Sequence, residues 1–242
     1  MPDALSVAPS GIAAALTATQ VLSSAALLSG WRPVTNLAAM KASPAGQACG
    51  VEQLTAVMAT DAGVFIGAAC SVPGTVGLFE QTGAQPVSTG VLLPRADAKA
   101  FVEVLRVVPY KQGIATLLGL RTGSGTSYVA AWSSAPGSAW SWSAPHTSTG
   151  ALISTAVTSG VGFALLSKSN SGAPAAAVIA APGSNWTQLP APPAGTATIS
   201  IASDRSDALV VDAATFIDYQ LTGGQWVKAQ TVQVAIPYDS SS

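Results

Sequence analysis

The sequence predicts an all-β fold, a β-propeller of about five four-stranded blades, and three observations carry that reading. The first is a turn, Ala135-Pro136-Gly137-Ser138-Ala139-Trp140, that returns as Ala181-Pro182-Gly183-Ser184-Asn185-Trp186, with a weaker copy at Thr222-Gly223-Gly224-Gln225-Trp226. The second is the interval. The tryptophans of these Gly-x-x-Trp copies lie 46 and 40 residues apart, the length of one four-stranded blade. The third is composition: charged residues make up 9% of the 242-residue chain, against roughly a quarter in an average globular protein. Ala, Gly, Ser, Thr and Val dominate instead, which favours short strands and small-residue turns over salt-bridged helices.

Taken in order, the chain divides into approximate blades at 1–37, 51–89, 102–147, 151–193 and 196–242 of one propeller domain. In the first, strands are expected at 4–7, 12–17, 21–28 and 31–37, although 12–28 also reads as a helix, rich in Ala and Leu with no internal Gly or Pro. The second opens on Val51-Glu52-Gln53-Leu54, an echo of Val102-Glu103-Val104-Leu105 at a spacing of 51. Its turn is Asp61-Ala62-Gly63, its next strands are 64–69 and 76–79, and Pro86 stands where a tryptophan would follow Gly83.

The third blade has strands at 102–108, 114–120, 127–132 and 140–143. The fourth has them at 152–158, 163–167, 175–180 and 186–189, and the fifth at 198–202, 208–212, 215–221 and 225–229. Short apolar runs broken by Gly, Ser, Asn or Pro are the pattern of antiparallel strands joined by turns. Val234-Ala235-Ile236-Pro237-Tyr238 echoes Arg106-Val107-Val108-Pro109-Tyr110, as though a further blade begins. That strand and residues 4–7 compete for one position, so either one of them closes the sheet or the chain belongs to a larger propeller of six or more blades.

Ten Lys plus Arg stand against eleven Asp plus Glu, so the basic footprint that nucleic acid or an anionic membrane surface needs is missing. Residues 12–30 are uncharged, but Thr17, Thr19, Gln20, Ser23, Ser24 and Ser29 make them a poor membrane span. The start, Met1-Pro2-Asp3, has no basic n-region. Scarce charge with abundant Ser, Thr and Gly resembles the exported proteins of high-GC bacteria, and in an exported chain Cys49 and Cys70 are expected to pair. The expected place is extracellular or on the cell surface.

The run Ser133-Ser134-Ala135-Pro136-Gly137-Ser138-Ala139-Trp140 resembles the Asp-box, Ser-x-Asp-x-Gly-x-x-Trp, of sialidase-type (BNR) propellers, where it forms the turn between a blade's third and fourth strands. The resemblance covers three degenerate copies over half the chain. The aspartate position holds Ala135, Ala181 and Leu221 in turn. The likeness therefore implies propeller architecture, and hardly any sialidase chemistry.

Catalytic sets are scarce. His146 is the one histidine, whereas a zinc site takes about three or four His, Cys or carboxylate ligands, so no metal is expected. A Ser/His/Asp triad would need the same histidine, and no Gly-x-Ser-x-Gly elbow accompanies it. No phosphate-binding loop occurs, and no cofactor is implied. Glycoside hydrolysis needs two carboxylates roughly 5–10 Å apart, and Glu52 and Glu103 begin the innermost strands of neighbouring blades.

Sialidase-like enzymes use an arginine triad with a tyrosine nucleophile, and none of Arg32, Arg95, Arg106, Arg121 and Arg205 lies in a recognisable motif of that family. The long connections 38–50 and 88–100 would share a face with Glu52, Glu103 and the turns 121–126 and 168–172. Long loops gathered on one face are where binding resides. The expected function is thus a non-catalytic recognition or scaffold module for a protein or glycan, with Glu52, Glu103, Arg106, Arg121 and Lys168 as candidate ligand contacts. A divergent glycosidase is the alternative, and a β-sandwich with fortuitous repeats a third reading.

Overall fold

The computed structural model describes residues 3–25, 29–83, 85–123, 125–148, 150–169, 171–202, 204–212 and 214–234. They form two compact units, Met1–Thr147 and Ser148–Ser242. Both are built from four-stranded antiparallel blades in which each strand pairs with its sequence neighbour.

The first blade of the first unit comprises β1 (Ala4–Val7), β2 (Ala13–Leu16), β3 (Gln20–Ser24) and β4 (Arg32–Asn36). The helix that residues 12–28 could have formed gives way to a hairpin; 26–28 lie outside the described residues. Gly11 turns into β2 at φ +89°, and Thr17 closes the next turn, its backbone N–H donating to the Gln20 carbonyl and its Oγ1 accepting from the Gln20 N–H. Every residue of β2 is buried. Side chains on both faces of this strand find partners, which overrides the helical preference of Ala and Leu.

Connection 38–50, expected as a loop, is instead two short helices, α1 (Leu37–Ala42) and α2 (Pro44–Cys49). Asn36 Oδ1 caps the first by accepting from Ala39 N–H at 2.8 Å, and Ser43 Oγ caps the second by accepting from Gly46 N–H at 3.0 Å. Pro44 suits the first turn of α2, and Gly50 ends it in the left-handed conformation, φ +65°. Met40 seats α1 in the core, fully buried.

The second blade is β5 (Val51–Ala59), β6 (Val64–Cys70), β7 (Gly77–Gln81) and β8 (Val87–Ser88). The third is β9 (Phe101–Tyr110), β10 (Gly113–Thr122), β11 (Gly125–Ser133) and β12 (Ser141–Trp142), with β13 (His146–Thr147) also on β11. A single bridge, Ala69 to Glu103, links these two blades into one nine-stranded ladder.

Among the described residues, two apolar layers lie between the blades of this unit. Leu16, Val21, Met40, Leu54, Ile66 and Phe79 fill one, between the first blade, α1 and the second blade. Met58, Leu78, Val104, Leu118, Leu120 and Val129 fill the other, between the second and third blades. Each fully buried aliphatic or aromatic side chain of this kind contributes about 1.5–3 kcal/mol.

The Cys49 and Cys70 thiols are joined in a disulfide with Cα atoms 5.4 Å apart, tying the end of α2 to the end of β6.

The second unit contains β14 (Ala151–Val157), β15 (Phe163–Lys168), β16 (Pro174–Ile179) and β17 (Thr187–Gln188), then β18 (Thr196–Ile201), β19 (Ser206–Asp212), β20 (Thr215–Thr222) and β21 (Gln225–Gln233). Ala164, Leu166, Ala176, Ile199 and Ala208 form its core, with Tyr219 and Trp226 against it. Trp226 Nε1–H donates to the Pro190 carbonyl at 2.9 Å, pinning the crossing between the two blades. Val234 N–H donates to the Ala214 carbonyl and prolongs β21's ladder. The remainder of the echo of 106–110, from Ala235 to Tyr238, lies outside the described residues. Residues 4–7 occupy the first-strand position of the first blade by pairing with β2.

The repeated Pro-Gly-Ser turn falls between third and fourth strands, as predicted, with Gly137 at φ +73° and Gly183 at φ +78°. Ser138 Oγ accepts from Ala135 N–H at 3.1 Å and donates to the Ala135 carbonyl at 2.8 Å. Ser184 repeats both bonds on Ala181. A serine hydroxyl three residues on thus fastens the backbone at the position where the Asp-box has its aspartate.

Candidate functional site

Glu103 stands on β9 opposite Gly119, which is opposite Tyr128 on β11, which is opposite His146 on β13. Directly paired residues share a face of a sheet, so glutamate, tyrosine and histidine form one row on the third blade. Two pairs along, Arg121 faces Phe101, its guanidinium 5.6 Å from the ring centre. Partial burial pushes the Glu103 carboxyl up and the positive field of Arg121 opposes that. Burial, then the Glu103 charge, raises the Tyr128 phenol. Burial alone lowers His146.

These directions set the pH response. A carboxyl whose folded pKa exceeds its unfolded one binds the proton more tightly when folded, so stability falls as pH rises through that interval. Replacing Glu103 by Gln should flatten the decline in unfolding free energy as pH rises from the ordinary carboxylate range upward, as read by urea titration at each pH. His146 works in the opposite sense: it loses stability as pH falls through the ordinary imidazole range.

Arg106 follows a bulge in the β9–β10 register between Leu117 and Leu118. Its guanidinium is half-buried and desolvation lowers its pKa. Glu52 is exposed, the unpaired residue of a bulge between Val51 and Gln53. Ala69 is bridged to Gln53 on β5 and to Glu103 on β9. Thr55 Oγ1 on β5 donates to the Val104 carbonyl on β9 at 2.6 Å, so the strands that carry Glu52 and Glu103 lie side by side. Lys168 is exposed at the end of β15, in the second unit.

A cavity of about 440 Å³ opens at the other ends of these strands, between the second and third blades. Phe65, Glu80, Thr89, Gln112, Ile114 and Trp140 are among the residues that line it, and none of the five predicted contacts does. Glu80 on β7 is directly opposite Phe65 on β6. Trp140, at the end of the repeated turn, lies 6.4 Å from Trp142 with the rings tilted. Read from the sequence, Trp140 belongs to a folding element alone; the structure gives it a second position, in a cavity wall. Among the described residues, no group of three or more His, Cys, Asp or Glu gathers as a metal site would require. No helix among them is long and apolar enough to cross a membrane.

Blades of four antiparallel strands define a β-propeller of sialidase-like fold. The chain matches no protein-family model and no curated protein sequence. Solved structures do resemble it. A structure of YCF48 bound to D1 peptide superposes with a TM-score of 0.57 at 10% identity, over 95% of this chain and 66% of that one. The Hadza microbial sialidase Hz136 superposes at 0.58 with 13% identity, over 95% and 57%. The fungal lectin of Aleuria aurantia, a six-bladed β-propeller described with a fucose recognition mode, gives 0.50 at 12% identity, over 96% and 77%. This chain therefore spans less than two thirds of the first two of these proteins. At such identities the likeness concerns the fold.

Proposed function

We propose that this propeller is a non-catalytic recognition or scaffold module, exported to the extracellular space or cell surface, whose partner is a protein or a glycan. The observation that supports it most is the cavity between the second and third blades, where aromatic, hydroxyl and amide groups surround Glu80, the one acidic side chain among the described lining residues. Hydrolysis of a glycosidic bond takes two carboxylates, whereas binding takes a shaped apolar wall with a few polar groups. The Cys49–Cys70 disulfide fits an oxidising compartment. Glu52, Glu103 and Arg121 remain candidate contacts at the opposite strand ends, Arg106 in the middle of β9, and Lys168 in the second unit.

One observation favours a rival reading, a divergent glycosidase: the bridge at Ala69 brings the strands bearing Glu52 and Glu103 close together. A panel of chromogenic glycosides separates the two. No turnover above buffer is expected from the wild-type chain. Turnover that disappears in the Glu52→Gln, Glu103→Gln double variant would establish the enzyme instead.

A further inference from the structure

We infer that the cavity between the second and third blades is a binding site for a neutral saccharide, an inference that rests on the recognition role above and names its ligand class. Phe65 and Trp140 are both half-buried and packed on the apolar layer of this blade pair, so their rings are held in place. The electron-rich face of such a ring accepts the weakly positive C–H surface that a pyranose presents on one side. Beside Phe65, on the same sheet face, stands the Glu80 carboxylate, which makes no ion pair or hydrogen bond with any described residue. A carboxylate has room for two hydroxyl donors at once, which is what adjacent sugar hydroxyls supply.

The remaining polar groups agree with this assignment. Gln112, exposed on the turn between β9 and β10, adds an amide donor and an acceptor. Thr89 Oγ1 gives its own proton to the Leu78 carbonyl, 3.0 Å away, and keeps lone pairs for an incoming hydroxyl. The volume lies within the roughly 300–1,000 Å³ of small-molecule sites.

The charge balance selects among sugars. Among the described residues no Lys, Arg or His lines the cavity, and Lys111, beside Gln112 in the same turn, lies over the Tyr110 ring, 5.3 Å from its centre. A sialic acid would bring its carboxylate beside Glu80 with no counter-charge, and an unpaired charge in a partly desolvated site is costly. A cationic peptide side chain would accept the ring and the carboxylate but would leave the hydroxyl and amide groups without a role. The neutral saccharide uses all of them.

The test is a titration of the full chain, followed by tryptophan fluorescence and saturation-transfer NMR, with four probes: methyl α-L-fucopyranoside, methyl β-D-galactopyranoside, N-acetylglucosamine and N-acetylneuraminic acid. An octalysine peptide is the fifth. Saturable binding of at least one neutral sugar is expected. Glu80→Gln should weaken it about ten- to a hundred-fold, the cost of losing a charged hydrogen-bond acceptor. Gln112→Ala, on an exposed turn, should weaken it several-fold, and Lys228→Ala on β21 should leave it unchanged. Melting curves check that each variant folds.

Preference for N-acetylneuraminic acid or octalysine would overturn the assignment. So would a neutral sugar whose affinity survives Glu80→Gln and Gln112→Ala but is lost in Glu103→Gln; in that case the recognition role stands and the site moves to the opposite strand ends. Absence of binding to every probe would overturn the saccharide assignment, and the recognition role with it if protein capture from the extracellular milieu also fails.

Discussion

Replacing both Cys49 and Cys70 by alanine should lower the free energy of unfolding by on the order of 3 kcal/mol, the loop-closure value for a crosslink spanning 21 residues. The loop so closed contains all of β5 and β6. Once crosslinked, the unfolded chain has fewer arrangements of that loop to explore, and folding gives up less entropy. Both cysteines are almost completely buried in the layer that also holds Met40, Leu54 and Phe79, so the substitution adds a small cavity to the entropic loss.

Urea unfolding of the wild type with and without dithiothreitol, alongside the double variant, measures the effect. The reduced wild type should move most of the way to the variant. A shift below about 0.5 kcal/mol would show that the denatured ensemble keeps this segment compact without the bond.

Gly67→Val is expected to destabilise the first unit by about 1–3 kcal/mol, the usual range for overpacking a filled core. A Cβ at Gly67 would sit 2.5 Å from Val104 Cγ1, 2.8 Å from Val104 Cβ and 2.9 Å from the Ala56 methyl. All three belong to the β5 and β9 strands that close over β6 at the junction of the second and third blades. Valine must therefore separate those strands. Gly67→Ala should do the same more mildly.

Met58 on β5 and Phe65 on β6 line the saccharide cavity, so the separation should also alter ligand affinity, whereas the disulfide variant should change stability with affinity nearly intact. Comparing unfolding midpoints with sugar titrations of the two variants checks this contrast. Equal loss of affinity in both would contradict it.

Much of the fold is legible in the sequence. The strand positions in the second to fifth blades follow the breaks at Gly, Pro, Asn and Ser, because a turn residue acts locally on φ and ψ. The helices over 37–49 escaped that reading even though Asn36, Ser43-Pro44 and Gly50 are the caps that frame them. Each spans only six residues, and so short a helix has almost no periodicity to detect. Over residues 12–28 local preference pointed two ways, and only pairing with β1 and β3 made β2 a strand.

The site was less legible than the fold. Glu52 and Glu103 were selected at strand starts, Arg106 a little further along its strand, and Arg121 and Lys168 in the turns 121–126 and 168–172; the structure does set Glu103 in a row with Tyr128 and His146. The cavity at the other strand ends draws on Phe65, Glu80, Gln112 and Trp140, separated by as many as 75 positions in the chain. No local pattern connects them.

What the sequence determined by itself was the repeat: the Pro-Gly-Ser turn, its spacing, and the strand lengths that follow, all of them short-range consequences of backbone sterics and side-chain alternation. What the tertiary structure alone decided was which faces meet. The Ala69–Glu103 bridge, the approach of Val104 to Gly67 and the meeting of Phe65 with Trp140 around one cavity depend on how one blade lies on the next. That is set by the summed packing of many small side chains, and no single residue records it.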